Sequence, residues 1–272
     1  MSIFTRYDQL ELIGVGSSGS VYRAREGQNG IEYAIKILDM SSCNEEVINR
    51  QQFSQLYHEA SILMQLSHPN ISQLVDFDAD QEYCYLVTRL VQGISLAQWL
   101  EQSGAMPVWQ LLTTAIQISH PLKYLHQRGL IHGDIKPANI MLAATGVIKL
   151  LDYGAARLLK QKRSIEQLTL KYAAPEQIES SHGDVRSDLF SLGVTLYELG
   201  RGTHPFPAMR QSDLIAEITS FNPTPLTESI TGFPQAFSDV IQRLLSKDPE
   251  KRFQTAEALR IALWNCLARH SC

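Results

Sequence analysis

Nothing in the chain narrows its architecture as much as the change in hydrophobic period near Gly93. Ahead of it the runs QLELIGV, SVYRARE, EYAIKIL and EYCYLVTRL are β-type, broken by one amphipathic helical stretch from about Arg50 to Leu66. Within that stretch Phe53, Leu56, Ile62, Leu63 and Leu66 recur near helical spacing, and SHPN at 67–70 ends it with a proline turn. Beyond Gly93 the patterns are long and helical: LAQWLEQ, VWQLLTTAIQISHPLKYLHQRG, SDLFSLGVTLYELG, FSDVIQRLLS and AEALRIALWNCLARH. A small sheet with one helix, followed by a mainly helical part, predicts an α+β fold in two lobes, 1–92 and 93–272. Without internal repeats the lobes form one unit. About sixty residues of turn-like composition with short β runs separate the second and third helical patterns, and connections of that length usually carry function.

The chain has 272 residues, 44% hydrophobic and 19% charged, enough to bury a substantial core. A net charge of -4 provides no field to gather nucleic acid or an anionic membrane, so neither is expected as a partner. The N-terminus MSIFTRYDQL has no apolar signal core, and no run reaches the length of a membrane span. Cys43, Cys84, Cys266 and Cys272 have neither metal-ligand spacing nor disulfide-framework density, which predicts free thiols and a cytoplasmic setting.

Ile13, Gly14, Val15, Gly16, Ser17, Ser18, Gly19, Ser20 and Val21 form a glycine-rich turn between two β-like runs. Glycines of this spacing let backbone approach phosphates, and a flexible hairpin turn is the alternative reading. A dinucleotide-binding reading requires a helix to follow, whereas SVYRARE alternates as a strand. In YAIK, Lys36 lies on a strand flanked by Ala34, Ile35 and Ile37, where an ammonium needs a partner. Glu59, 59 − 36 = 23 residues later in the amphipathic helix, is the candidate.

With IHGDIKPANIML at 131–142, LLDYGAAR at 150–157 and KYAAPEQ at 171–177, the chain resembles the eukaryotic-type protein kinase family, bacterial members with KPAN and APEQ above all. The resemblance covers nearly the whole chain in order. It implies transfer of the γ-phosphoryl group of Mg·ATP, with Mn²⁺ a possible substitute, to serine or threonine hydroxyls of protein substrates. Asp134 would be the catalytic base, Lys136 would neutralise the transferring phosphoryl group, and Asn139 and Asp152 would ligate the metal. Lys36, held by Glu59, would meet the α and β phosphates. The turn at 13–21 would cover them, with Val21, Ala34 and Met141 around the adenine. Arg89, Leu90 and Val91 would form the hinge, Thr88 would guard the back of the pocket, and Thr169 would contact Asp134 and Lys136. The resemblance also implies a column of Leu63, Leu74, Tyr153 and His132, an anchoring role for Asp188 and an architectural ion pair between Glu176 and Arg252.

The chain departs from the family where His132-Gly133-Asp134 replaces His-Arg-Asp, removing the arginine that meets a phosphate on the activation segment. Independence from such phosphorylation is expected. The run Arg157, Lys160, Lys162, Arg163 reads as a solvated face or a contact for an acidic partner. His-Gly-Asp also occurs in small-molecule phosphotransferases of the aminoglycoside and choline kinase type, which is the alternative function; a nucleotide-binding pseudokinase is a third. Against the first stand Lys136 and the segment TLKYAAPEQ, and against the second the presence of Lys36, Asp134, Asn139 and Asp152.

Overall fold

A computed structural model describes residues 6–16, 19–27, 30–40, 46–79, 82–159 and 168–270. Ser17 and Ser18 of the glycine-rich turn, Cys43, Cys272, Lys160, Lys162, Arg163 and Ser164 lie outside the described residues. The chain divides into two compact units, Met1–Gln92 with Asp152–Gly154, and Gly93–Leu151 with Ala155–Cys272.

In the first unit β1 (Tyr7–Gly16), β2 (Gly19–Glu26), β3 (Glu32–Asp39), β4 (Leu74–Ala79) and β5 (Tyr83–Arg89) make an antiparallel sheet of order β1-β2-β3-β5-β4. Side chains alternate across a strand, so Tyr33, Ile35 and Ile37 of β3 join Tyr7, Ala24, Tyr85 and Val87 in a core on one face. Ala34 and Lys36 therefore stand on the other face. The register sets Val21 opposite Lys36 and Ala34 opposite Thr88, which gathers these four residues on that same face. Strand β4 is not apparent from sequence alternation because a register irregularity between Leu74 and Asp76 breaks it.

Helix α1 (Glu46–Leu63) begins ahead of the periodic stripe and ends three residues before Leu66. Met64 N–H still donates to Ala60 O at 2.9 Å, but Gln65 and Leu66 donate to Ile62 O and Leu63 O in tighter turns. The cause lies just downstream, where Pro69 disfavours helical backbone at His68. Leu56, Ala60 and Leu63 form the buried stripe of α1, and the i, i+3 spacing sets Glu59 on it as well.

The second unit holds a three-stranded sheet, β6 (Gly93–Ser95), β8 (Ile140–Ala143) and β9 (Ile148–Leu150), in the order β6-β8-β9. A short antiparallel pair joins β7 (Leu130–Ile131) to β10 (Arg157–Leu158). Its helices are α2 (Leu96–Ser103), α3 (Val108–His126), α4 (Pro175–Ser180), α5 (Val185–Arg201), α6 (Gln211–Ser220), α7 (Leu226–Ser229), α8 (Gln235–Leu244) and α9 (Ala256–His270). Helix α5 is buried on nearly every side, packed by α3 and α8, which accounts for its almost continuous apolar run LFSLGVTLYEL. Asp184 caps it, accepting from Arg186 N–H at 2.7 Å. Cys84 and Cys266 are buried free thiols. Among the described residues no helix is long and apolar enough to cross a membrane.

Candidate active site

In the first unit a buried lysine and a buried glutamate meet. Lys36 Nζ lies 2.8 Å from Glu59 Oε2, and their side chains are 12% and 5% exposed. The same carboxylate accepts Tyr153 N–H through Oε1 at 3.3 Å, so Glu59 ties strand, helix and the Asp152–Gly154 segment together. Burial works against the charge on Lys36, but Glu59 and, 3.8 Å away, Asp152 outweigh it and hold the ammonium protonated. Asp152 adopts left-handed backbone, φ 59°, with Oδ1 accepting Gly154 N–H at 3.2 Å. Tyr153 is fully buried, as suits an aromatic plug, alongside the buried Leu63. Thr88 hydroxyl is 3.5 Å from Ala34 O, and Arg89 closes β5 with its N–H on Gln73 O. Of the glycine-rich turn, Ile13, Gly14, Val15 and Gly16 end β1 and Gly19, Ser20 and Val21 begin β2, with Gly16 facing Gly19. Leu90 and Val91 follow β5 as half-buried irregular backbone.

In the second unit the segment after β7 folds back on itself. Pro137 starts a single 3₁₀ turn over Pro137–Asn139, which brings Asn139 under Asp134. Asp134 Oδ2 accepts from Lys136 Nζ at 2.7 Å and from Asn139 Nδ2 at 2.8 Å, while Oδ1 accepts from Thr169 hydroxyl at 2.6 Å. Lys136 Nζ also donates to Thr169 Oγ1 at 3.0 Å, closing the triangle. Burial pushes the Asp134 carboxyl up, but the Lys136 charge and the hydrogen bonds from Lys136 and Thr169 hold it below the ordinary aspartate value. The group is therefore an ionised, oriented carboxylate at neutral pH. Asn139 Nδ2 also donates to Asp134 O at 2.9 Å, which leaves Asn139 Oδ1 as the end suited to a cation. Met141 lies on β8, opposite Ser95.

A buried carboxylate from α5 holds this loop. Asp188 accepts His132 N–H at 2.9 Å on Oδ2 and Gly133 N–H at 2.8 Å on Oδ1, with His126 Nε2 2.9 Å from Oδ2. Burial raises its pKa, yet the His126 hydrogen bond and charge and the backbone donors outweigh that and keep it below the usual range. His132 Nε2 lies 3.1 Å from Leu151 O and its Nδ1 accepts Asp134 N–H at 3.3 Å, a pairing met by the neutral Nε2–H tautomer. Arg252, with no exposed side-chain area, forks onto both Glu176 oxygens at 2.8 Å. Glu176 also accepts from Ser187 hydroxyl at 2.7 Å, so the pair joins α4, α5 and the turn before α9.

One sequence expectation is corrected. Arg157 is not a solvated cation: it is only 5% exposed, because its pairing with Ile131 in β10 turns the side chain inward. Other contributors escape the motifs. Tyr172 hydroxyl donates to Glu198 at 2.7 Å and Ser191 hydroxyl to Tyr172 O at 2.7 Å, fastening the segment that carries Thr169 onto α5. The available signal was Ser187, Ser191 and Thr195, polar residues at i, i+4, i+8 on a helix that is apolar over most of Leu189–Leu199. His126, at the end of α3, had none.

Comparison with known proteins places this geometry. The family model described as "Protein kinase domain" matches residues 7–263. The chain belongs to the protein kinase family. It is 30% identical over 267 residues to the serine/threonine-protein kinase PknB of Mycobacterium leprae, covering 95% of the chain and 42% of that protein. It is 33% identical over 252 residues to the serine/threonine-protein kinase ULK3 of Xenopus laevis, covering 91% of the chain and 53% of that protein. With serine/threonine-protein kinase 36 of Mus musculus the identity is 35% over 259 residues, 93% of the chain and 19% of that protein. The kinase domain thus spans about half or less of the length of these relatives. Oxygen donors of the hard kind that Mg²⁺ prefers are the Asp152 carboxylate, 43% exposed, in the first unit and, separately, Asn139 Oδ1 in the second.

Proposed function

We propose that the domain transfers the γ-phosphoryl group of ATP to serine or threonine hydroxyls of protein substrates. The observation that carries this reading is the closed triangle of Asp134, Lys136 and Thr169. Asp134 accepts the acceptor's hydroxyl proton as that oxygen bonds to the γ-phosphorus and the bond to the ADP oxygen breaks. Lys136 offsets charge on the group in flight, and Thr169 fixes both side chains in register. Lys36, kept cationic by Glu59, binds the α and β phosphates, beneath the turn formed by residues 13–21. The family resemblance assigns Val21 and Ala34 of the first unit and Met141 of the second to the adenine, and Thr88, Arg89 and Val91 to its polar edge. Asn139 and Asp152 would hold Mg²⁺, which supplies charge neutralisation along the phosphates.

The Lys136–Thr169 contact favours protein over small-molecule acceptors, because it makes the TLKYAAPEQ segment part of the reacting cluster. Gly133 stands where the arginine through which a segment phosphate would act is expected. Activity therefore does not depend on activation-segment phosphorylation. The Cys84 thiol is pushed up to about 11 by burial, so it is almost wholly protonated and unreactive at neutral pH.

The test is transfer of ³²P from [γ-³²P]ATP, with Mg²⁺ and without, to generic protein substrates and to aminoglycosides. Asp134→Asn should lower kcat by about 10²–10⁴-fold with ATP affinity nearly intact, since the amide keeps the shape but takes no proton. Labelling of aminoglycosides alone, or near-normal turnover by the Asn variant, refutes the reading.

A further inference from the structure

Two glycines of the second unit face one guanidinium. A Cβ at Gly133 would stand 2.8 Å from Arg157 Nη1 and 2.9 Å from Ala155 O. A Cβ at Gly183 would stand 2.9 Å from Arg157 Nη2 and 3.0 Å from Gln177 Cγ and Ser187 Oγ. Gly133 has φ 76°, so backbone conformation also favours glycine there. Gly183 is not in the left-handed region, and at that position space alone calls for glycine. A hollow with glycine walls on both sides is thus filled by the planar end of Arg157.

The surroundings give that charge something to do. Pairing of Arg157 with Ile131 anchors its backbone beside the strand that runs directly into His132-Gly133-Asp134. Burial weakens the protonated guanidinium and the charge of Asp188 opposes that weakening; the geometry links the two through Gly133, whose N–H donates to Asp188 at 2.8 Å and whose Cβ position faces Arg157 Nη1. Asp188 is the carboxylate that holds the His132 and Gly133 amides. Gly183 belongs to the loop entering α5, and Gln177 and Ser187 lie in α4 and α5. The guanidinium therefore touches the base-bearing loop, the loop before α5 and the Asp188 field from a single position.

We infer that Arg157 is a positioning residue for the phosphoryl-transfer step: its buried guanidinium, seated between Gly133 and Gly183 beside Asp188, sets the loop that carries Asp134. This rests on the kinase reading above and adds an internal cation to it. The chain lacks an arginine at position 133, and the space that such a side chain's root would need is occupied by a cation reaching in from β10. A planar fork spanning two hollows is something lysine cannot reproduce.

The experiment compares Arg157→Ala, Arg157→Lys and Gly183→Ala with wild type, by steady-state kinetics and amide hydrogen exchange at His132 and Gly133. Arg157→Ala should lower kcat about tenfold or more while KM for ATP stays within about twofold, and should speed exchange at both amides. Millimolar guanidinium chloride should recover part of the lost kcat in Arg157→Ala and none in Asp134→Asn. Arg157→Lys should remain impaired. Gly183→Ala, which crowds the guanidinium from the side away from the base, should lower kcat even if Arg157→Ala fails to fold. Wild-type kcat and exchange in folded Arg157→Ala, or a Gly183→Ala domain as active as wild type, overturns the inference. The exchange arm reads loop positioning without any turnover, so an inactive wild-type domain would refute the kinase reading and leave this one to be judged on exchange.

Discussion

Glu176→Ala should unfold the second unit far more readily and leave the chemistry of the folded molecule almost untouched. Arg252 makes five hydrogen bonds: two at 2.8 Å to the Glu176 oxygens, and one each to Ser246 O at 2.7 Å, Lys247 O at 3.0 Å and Arg186 O at 3.1 Å. Truncating Glu176 removes the two bonds between charged groups, each about 1.5–3 kcal/mol, and leaves a fully buried cation with three carbonyls. That sum agrees with the roughly 3–5 kcal/mol measured when one partner of a buried pair is removed. At about 2–4 °C per kcal/mol for a chain of this size, the melting temperature should fall by about 10 °C. Glu176→Gln keeps one acceptor but turns an N–H₂ toward the guanidinium, so an intermediate loss of about 2 kcal/mol is expected. Thermal and urea unfolding give the stability, and kcat at a temperature where both proteins are folded gives the chemistry. A loss below about 1 kcal/mol would refute the account of the pair. A kcat down about a hundredfold in the folded variant would make Glu176 part of the reaction instead of the scaffold.

Thr169→Val should lower kcat by about 10- to 100-fold through loss of the bond to Asp134, and Thr169→Ser should stay near wild type; equal rates for all three would remove the hydroxyl from the mechanism. The Asp134 carboxyl lies below its ordinary value of about 3.9, so wild-type kcat/KM should decline only as pH falls through that low range. In Lys136→Met burial is no longer opposed by the ammonium, the carboxyl pKa rises, and the residual rate should decline at a higher pH; an unmoved acid limb contradicts the assignment. Domain treated with a phosphatase and verified unmodified by mass spectrometry should match the untreated rate, and a drop of about tenfold or more, equal to about 1.4 kcal/mol of barrier, would show that a segment phosphate is read after all.

Local chemistry in the chain was enough to identify the elements with repeating patterns and the short-range constellation. The alternation of EYAIKIL and the apolar run of LFSLGVTLYEL each act within a few residues, so β3 and α5 were legible in the sequence, while Asp134 and Asn139 were legible through the family resemblance of their motif. Strand β4 was hidden because its irregularity at Asp76 destroys the period on which such reading depends. The end of α1 was set by Pro69 acting upstream, where the apolar stripe still continued. Arg157 shows the larger limit. In sequence it stands in a basic run and reads as solvated, yet pairing with Ile131 and two glycines far from it in the chain make room for its guanidinium inside. Tyr172, Ser191 and Glu198 meet in the same way, across separations that no local period encodes. Sequence patterning reports which face of an element is buried, but which side chain fills the space between Gly133 and Gly183 depends on close packing between segments remote in sequence, and only the folded chain decides that.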